Sequence, residues 1–232
     1  MATLSYTWLG HATFLLTSPG GKKILFDPWV TGNPKSPDSA KKLGHLDLIL
    51  VTHGHGDHTG DVVPIGRASG AQVVAPFELS VWFQKKGLQN VTGMNPGGTL
   101  RALGLSITMV QAFHGSSIEE GGVNVYAGVA TGYVVKFEDG LTIYYSGDTG
   151  LFGDMRLIGE LYRPQIAFLC IGDHFTMGPE QAAKAVEFLG VKQVVPMHYG
   201  TFPVLTGTPA KLKELLGGRA EVVELKPGET AA

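Results

Sequence analysis

The apolar run Leu46-Asp47-Leu48-Ile49-Leu50-Val51 leads almost directly into His53-Gly54-His55-Gly56-Asp57-His58, four potential metal ligands in six positions. A buried strand that stops and at once presents imidazoles and a carboxylate constrains the chain to a fold that holds strand ends rigidly, as a metal site requires. In an extended segment His53 and His55 point to the same side and can hold one metal. Gly54 and Gly56 let the backbone bend, so that Asp57 and His58 face elsewhere. Neutral imidazole and carboxylate suit zinc, iron or manganese, and a site short of protein ligands leaves room for water or substrate. A polar loop with chance histidines is the competing explanation. It has little force, because His114, His174 and His198 also stand just past strand-like runs.

The 232 residues can bury a large core in one α/β or sandwich unit. A single cysteine excludes an internal disulfide, and Cys170, inside the apolar run 166–171, reads as a core filler and only weakly as a ligand. Residues 1–8 show no basic segment followed by an apolar one, and no run approaches the roughly 20 apolar residues that span a bilayer. The expectation is a cytoplasmic protein without membrane attachment. Net charge is −2, and the pairs Lys22-Lys23, Lys41-Lys42 and Lys85-Lys86 are scattered without interleaved aromatics, so nucleic acid is not an expected partner. A small-molecule substrate is, and a homo-oligomer is compatible with the composition. The 33 glycines are about twice ordinary usage and lie mostly between short strands.

Strand patterns are expected at 6–9, 14–17 and 23–26, joined as a meander by the turn Ser18-Pro19-Gly20-Gly21. A strand at 47–52 follows, then a short helix at 60–67, a strand at 72–75 and a helix at 77–86 closed by Gly87. Residues 98–113 read as two strands, and 133–137 with 141–145 as a hairpin. A strand at 166–171, a helix from Pro179 to Leu189 with Gly190 beyond it, a strand at 193–196, a helix at 209–216 and a strand at 221–225 complete the chain. Residues 14–27 echo 133–148, and 47–55 echo 165–174. The expected architecture is a single domain over 1–232 made of two similar halves, about 1–115 and 116–232. Each half is a mixed sheet with helices outside, giving an α/β (α+β) four-layer αββα sandwich of two mixed β-sheets flanked by helices.

His114 ends the strand pattern 107–113, Asp148 lies in Ser146-Gly147-Asp148-Thr149-Gly150 after 141–145, and His198 follows Val194-Val195-Pro196-Met197. Singly, each reads as an ordinary exposed or hydrogen-bonded residue. Together with the six-residue cluster they read as ligands. The set His53, His55, Asp57, His58, His114, Asp148 and His198 resembles the ligand set of the metallo-β-lactamase superfamily. Trp8-Leu9-Gly10-His11-Ala12, Val74-Ala75-Pro76-Phe77-Glu78-Leu79, Gln111-Ala112-Phe113-His114-Gly115-Ser116-Ser117, Phe175-Thr176-Met177-Gly178-Pro179 and His198-Tyr199-Gly200-Thr201-Phe202-Pro203 further resemble its uncharacterised metal-dependent hydrolase branch, akin to the ascorbate-6-phosphate lactonases. The resemblance runs from about residue 3 to the end. After Ile171-Gly172-Asp173, where relatives commonly carry asparagine, this chain has His174.

The resemblance implies the metallo-β-lactamase fold and a dinuclear centre of two divalent metal ions, Zn2+ foremost, with Mn2+ or Fe2+ as alternatives. His53, His55 and His114 would hold one ion, Asp57, His58 and His198 the other, and Asp148 would bridge them beside a water or hydroxide. Such a pair, roughly 3.5–4 Å apart, lowers the pKa of the bridging water and clamps attacking and leaving oxygens. Asp27 is expected to orient a ligand histidine through its free ring nitrogen, or else to be a buried turn aspartate. Two divalent ions offset by Asp57, Asp148 and a hydroxide leave about one net positive charge, which favours an anionic ester, lactone or phosphodiester. Phe175, Met177 and Phe202 are candidates for an apolar lip, Trp29 and Trp82 for the core.

Of the remaining histidines, His45 reads as exposed, His11 as lining the pocket or packing, and His174 as a general acid toward the leaving group. Tyr199 is a candidate donor to a developing oxyanion. The activity implied is a metal-dependent hydrolase using a metal-bridging hydroxide. Its alternatives are a phosphodiesterase on a nucleotide or lipid-like diester and a non-hydrolytic di-iron redox or metal-binding protein.

Overall fold

A computed structural model describes residues 3–232. In chain order, β1 (Ser5–Trp8), β2 (Phe14–Thr17) and β3 (Lys23–Phe26) form the expected antiparallel meander. A 3-10 turn at Asp38–Lys41 leads to β4 (Leu48–Leu50), the single helical turn α1 (Gly56–Thr59), α2 (Val62–Ser69), β5 (Gln72–Pro76), α3 (Phe77–Lys85) and β6 (Val91–Met94). Then come β7 (Thr99–Ala102), β8 (Leu105–Gln111), β9 (Ser117–Glu120), β10 (Val123–Tyr126), β11 (Thr131–Lys136) and β12 (Thr142–Tyr145). The remainder is α4 (Met155–Tyr162), β13 (Ile166–Cys170), α5 (Pro179–Leu189), β14 (Gln193–Met197), α6 (Pro209–Leu216), β15 (Glu221–Val222) and β16 (Thr230–Ala231).

Two compact units emerge. The first comprises the chain up to Asn95, Gly115–Ala130 and Lys226–Ala232; the second comprises Pro96–His114 and Thr131–Leu225. The first unit holds a seven-stranded sheet in the order β16-β1-β2-β3-β4-β5-β6 and the two-stranded ribbon β9-β10. Strands β16 to β3 run antiparallel to their neighbours, whereas β3 to β6 are parallel. Parallel strands need crossovers, and α2 and α3 supply them. Their Val62, Leu79 and Phe83 pack with Leu25, Ile49, Val51, Val73 and Ala75 in one apolar cluster. Each such fully buried large side chain contributes about 1.5–3 kcal/mol.

The second unit repeats the plan. Its sheet runs β7-β8-β11-β12-β13-β14-β15, antiparallel from β7 to β12 and parallel from β12 to β15. All five residues of β13 are buried, as the continuous apolar run Ile166-Ala167-Phe168-Leu169-Cys170 requires of a parallel strand covered on both faces. Helices α4 and α5 pack together, with Pro179 opening α5 and left-handed Gly190 closing it as expected. Pro196 is tolerated in β14 because β15 pairs only with Gln193 and Val194, leaving the proline a ladder neighbour on one side.

Both mixed sheets of the expected fold are thus present, with α2, α3, α5 and α6 at or near segments expected to be helical. Several details differ. The helix expected at 60–67 is α2, displaced to Val62–Ser69, and the His/Asp cluster before it coils into the additional turn α1. The strand expected over 221–225 shortens to Glu221–Val222. Strands β6, β9, β10 and β16 and helix α4 were not anticipated. Among the described residues no helix is long and apolar enough to cross a membrane.

Candidate metal centre

In the first unit every candidate ligand follows a strand of the sheet. The backbone stays extended at His55 (φ −63°, ψ 148°) and then winds into α1, which turns Asp57 and His58 away from His53 and His55. The change of direction therefore occurs where the glycines led us to expect it, but the two glycines act differently. A Cβ on Gly54 would lie 2.7 Å from Ala127 Cβ and 2.8 Å from Ser117 O, so Gly54 lets the ribbon approach; Gly56 faces open space.

Behind these candidate ligands, Asp27 at the end of β3 is fully buried and held at φ 43°. Its Oδ1 accepts the Thr52 N–H at 2.8 Å, and its Oδ2 accepts the Thr52 hydroxyl at 2.8 Å and His58 Nδ1–H at 2.9 Å. An ionised carboxylate only accepts, and a threonine hydroxyl has one proton. With that proton on Asp27, Thr52 Oγ1 must accept from His53 Nδ1, 3.0 Å away. His53 and His58 therefore both carry a proton on Nδ1, which in the neutral ring leaves the lone pair on Nε2. This is the form a metal takes, and one carboxylate enforces it on two imidazoles. His53 Nε2 faces His55 Nδ1 at 3.0 Å, a separation suited to sharing one cation or one proton.

His11, three residues past β1, is also fully buried, at φ 57°. Its Nε2 lies 3.0 Å from Asp57 Oδ2, its carbonyl accepts the Trp8 indole N–H at 2.9 Å, and Trp29 meets it edge-on at 5.2 Å between ring centroids. The ligand atoms of His11, Asp57 and His58 lie within 4.8 Å of one another. His11 was expected either to line the pocket or to pack, and its ring lies buried against Asp57. Trp29 is half-buried beside it, whereas Trp82 packs on the core cluster as expected.

The second unit gathers His114, Asp148 and His198. Asp148 Oδ2 lies 3.0 Å from His198 Nε2 and 3.7 Å from His114 Nε2, with Asp148 and His198 almost wholly buried. Two imidazole nitrogens converging on one carboxylate oxygen, like the oriented lone pairs of the first unit, are a donor set that fits a divalent cation. The neighbouring Thr149, unremarked in the sequence, is fully buried and bonded to three loops.

His174 is placed differently from its expected neighbours. It is exposed, follows Asp173 in a second consecutive left-handed conformation (φ 66° and 59°), and packs edge-on against Phe175 at 4.4 Å. Among the described residues it makes no hydrogen bond to His114, Asp148 or His198. Of the expected lip, Phe175 is exposed and Phe202 half-buried, but Met177 is fully buried. Tyr199 is half-buried; burial, helped by the Glu224 carboxylate, pushes its phenol well above the ordinary value and keeps it a proton donor. Burial, and then Asp148, push the Cys170 thiol up to about 11, which supports the core-filler reading. His45 is exposed beside Asp47, as expected.

The two sheets place these residues in matching slots. By strand order β1 corresponds to β8, β3 to β12 and β4 to β13, so His11 matches His114, Asp27 matches Asp148, and the His53–His55 segment matches Asp173–His174. The echo between residues 14–27 and 133–148 is therefore structural. Among the described residues, five of the seven non-glycine residues with positive φ (His11, Asp27, Asp173, His174 and His198) occupy post-strand loops, where backbone strain characteristically collects.

Residues 22–199 match the Beta-lactamase superfamily domain. The chain is 52% identical over 227 residues to a UPF0173 metal-dependent hydrolase of Rubrobacter xylanophilus, covering 96% of this chain and 94% of the relative. It is 51% identical to one of Koribacter versatilis, covering 98% and 97%. Among solved structures it resembles a metallo hydrolase from the hyperthermophilic archaeon Ignicoccus hospitalis, with a TM-score of 0.89, 39% identity, and 99% and 98% of the two chains covered.

Proposed function

Given that this chain belongs to the Beta-lactamase superfamily, among the UPF0173 metal-dependent hydrolases, we propose that it hydrolyses a small anionic ester, lactone or phosphodiester with two bound divalent ions. The observation that carries this reading is the Asp27–Thr52 pair, which fixes lone pairs on His53 Nε2 and His58 Nε2. A histidine packed for stability alone has no need of a defined tautomer; a ligand does. In this reading His53, His55, Asp57 and His58 of the first unit and His114, Asp148 and His198 of the second would supply the metal ligands. Zn2+ suits the imidazole-rich set best, with Mn2+ or Fe2+ as alternatives. The ions, when bound, supply Lewis acidity and lower the pKa of a water.

The chain's own residues do the rest. His11 holds the Asp57 carboxylate in place from within the core. Tyr199, protonated throughout the physiological range, offers an O–H to negative charge developing on substrate. His174, exposed on its loop, is free to deliver a proton to a leaving alkoxide. Phe175 beside it offers an apolar surface to the leaving group.

Elemental analysis of gently purified protein should approach two metals per chain. Asp148→Ala should lose most metal and turnover while remaining folded. A value near zero after reconstitution, or full turnover in the alanine variant, overturns the reading. Lactone, phosphodiester and thioester panels then assign the substrate class.

A further inference from the structure

The geometry points to Thr149 as a positioning residue that brings His114 to Asp148, an inference that rests on the ligand roles proposed above. His114 follows β8 and Asp148 follows β12, and these strands are not neighbours, since β11 lies between them. No ladder hydrogen bond can therefore set the distance between the two loops. Thr149 sets it. Its Oγ1 accepts the Phe113 N–H at 2.9 Å, immediately before His114, and donates to Gly150 O at 2.7 Å. The Gly150 N–H returns to Phe113 O at 3.0 Å, closing a ring of hydrogen bonds between the two loops. The Thr149 carbonyl accepts the Met177 N–H at 2.9 Å, and Met177 O in turn accepts the Asp173 N–H at 3.0 Å. The loop that carries His174 is thereby tied to the same point.

The residue type is explained by this arrangement. The site needs a hydroxyl that accepts and donates at once in a fully buried position, and a β-branched side chain with few rotamers holds it there. Valine keeps the shape and removes both bonds, leaving the Phe113 N–H without its acceptor. Removing a hydrogen-bond partner that orients a metal ligand typically lowers metal affinity about ten- to a hundredfold.

Co2+ titration of the metal-free protein, followed by its visible d–d bands, tests the idea against Thr149→Val, Thr149→Ser and Thr142→Val. Thr142 sits at the far end of β12, where its hydroxyl bonds Gly140 O, and it controls for the loss of a buried hydroxyl alone. Thr149→Val should bind at least one Co2+ tenfold or more weakly, with altered bands. Thr149→Ser should restore affinity and spectrum, and Thr142→Val should leave both unchanged. Equal affinity in Thr149→Val and the unsubstituted protein, no rescue by serine, or an equal loss in Thr142→Val overturns the inference while leaving the hydrolase reading intact. If the unsubstituted protein takes up no Co2+, that reading fails and the inference falls with it. Should Thr149→Val not fold, amide exchange of the unsubstituted protein decides. The Phe113 and Met177 amides should slow at least tenfold on Co2+ loading, and unchanged exchange overturns the role of Thr149.

Discussion

Asp27 receives three hydrogen bonds on two oxygens in a fully buried position, and its replacement separates charge from shape. In Asp27→Asn the amide can no longer accept from His58 and Thr52 alike, so one imidazole loses its enforced tautomer. Metal affinity measured by chelator competition should fall about ten- to a hundredfold; unchanged affinity would mean that the carboxylate only supports the turn. His174→Asn should retain the full metal content, since the imidazole is exposed and makes no hydrogen bond to His114, Asp148 or His198. It should slow substrates with poor leaving groups, by up to the hundredfold to ten-thousandfold typical of general acids, and spare activated nitrophenyl esters. Equal losses on both would argue against the acid role. Cys170, buried and with its thiol raised to about 11, should resist iodoacetamide at pH 8 until the protein unfolds. Mass spectrometry of the native protein would detect any early labelling. The imidazoles were legible from sequence because so many potential ligands rarely crowd six positions by chance. Thr52 and Thr149 were not, because a hydroxyl acting as a hub has the same one-letter appearance as any strand-end threonine.

Elements with strong periodicity or clear punctuation were read correctly. The meander β1–β3, the helix α5 between Pro179 and Gly190, and the helix α6 opened by Pro209 all carry their turn or cap residues in sequence. The missed elements lack such signals. Strand β6 contains a glycine and is only partly buried, and β9-β10 turns at Gly121-Gly122 between charged and exposed residues. Helix α4 has Gly159 in its interior, which lowers intrinsic propensity by about 1 kcal/mol relative to alanine. The structure explains the glycine. A Cβ there would stand 2.7 Å from Phe188 O and 2.8 Å from Leu189 O, at the crossing with α5. Gly159→Ala should therefore destabilise by about 1–3 kcal/mol despite its better propensity. The melting temperature should drop by roughly 2–10 °C in calorimetry, whereas a rise would show that the helices separate freely.

At the scale of the whole molecule, bound metal should act as a ligand of the folded state alone. At a hundredfold excess over its dissociation constant, one ion adds about 2.7 kcal/mol. A thermal scan should show a rise of roughly 5–10 °C on loading, reversed by EDTA; identical scans would disconnect metal from the folded state. The chain's threading bears on how it is made. The outer edge of β1 is covered by β16, with Tyr6 opposite Ala231, Thr7 opposite Thr230, and their two threonine hydroxyls 2.8 Å apart. During synthesis at about 5–20 residues per second, that edge waits roughly 10–40 s for its partner to leave the ribosome. Until then a nascent strand presents unpaired backbone groups, the surface from which sheets of different chains grow together. Deleting 226–232 should turn this transient exposure into a permanent one. Light scattering during refolding should rise with protein concentration in the truncated form and stay flat in the full chain. The last seven residues would then serve as a built-in chaperone for the first strand, arriving only when there is a finished sheet to close.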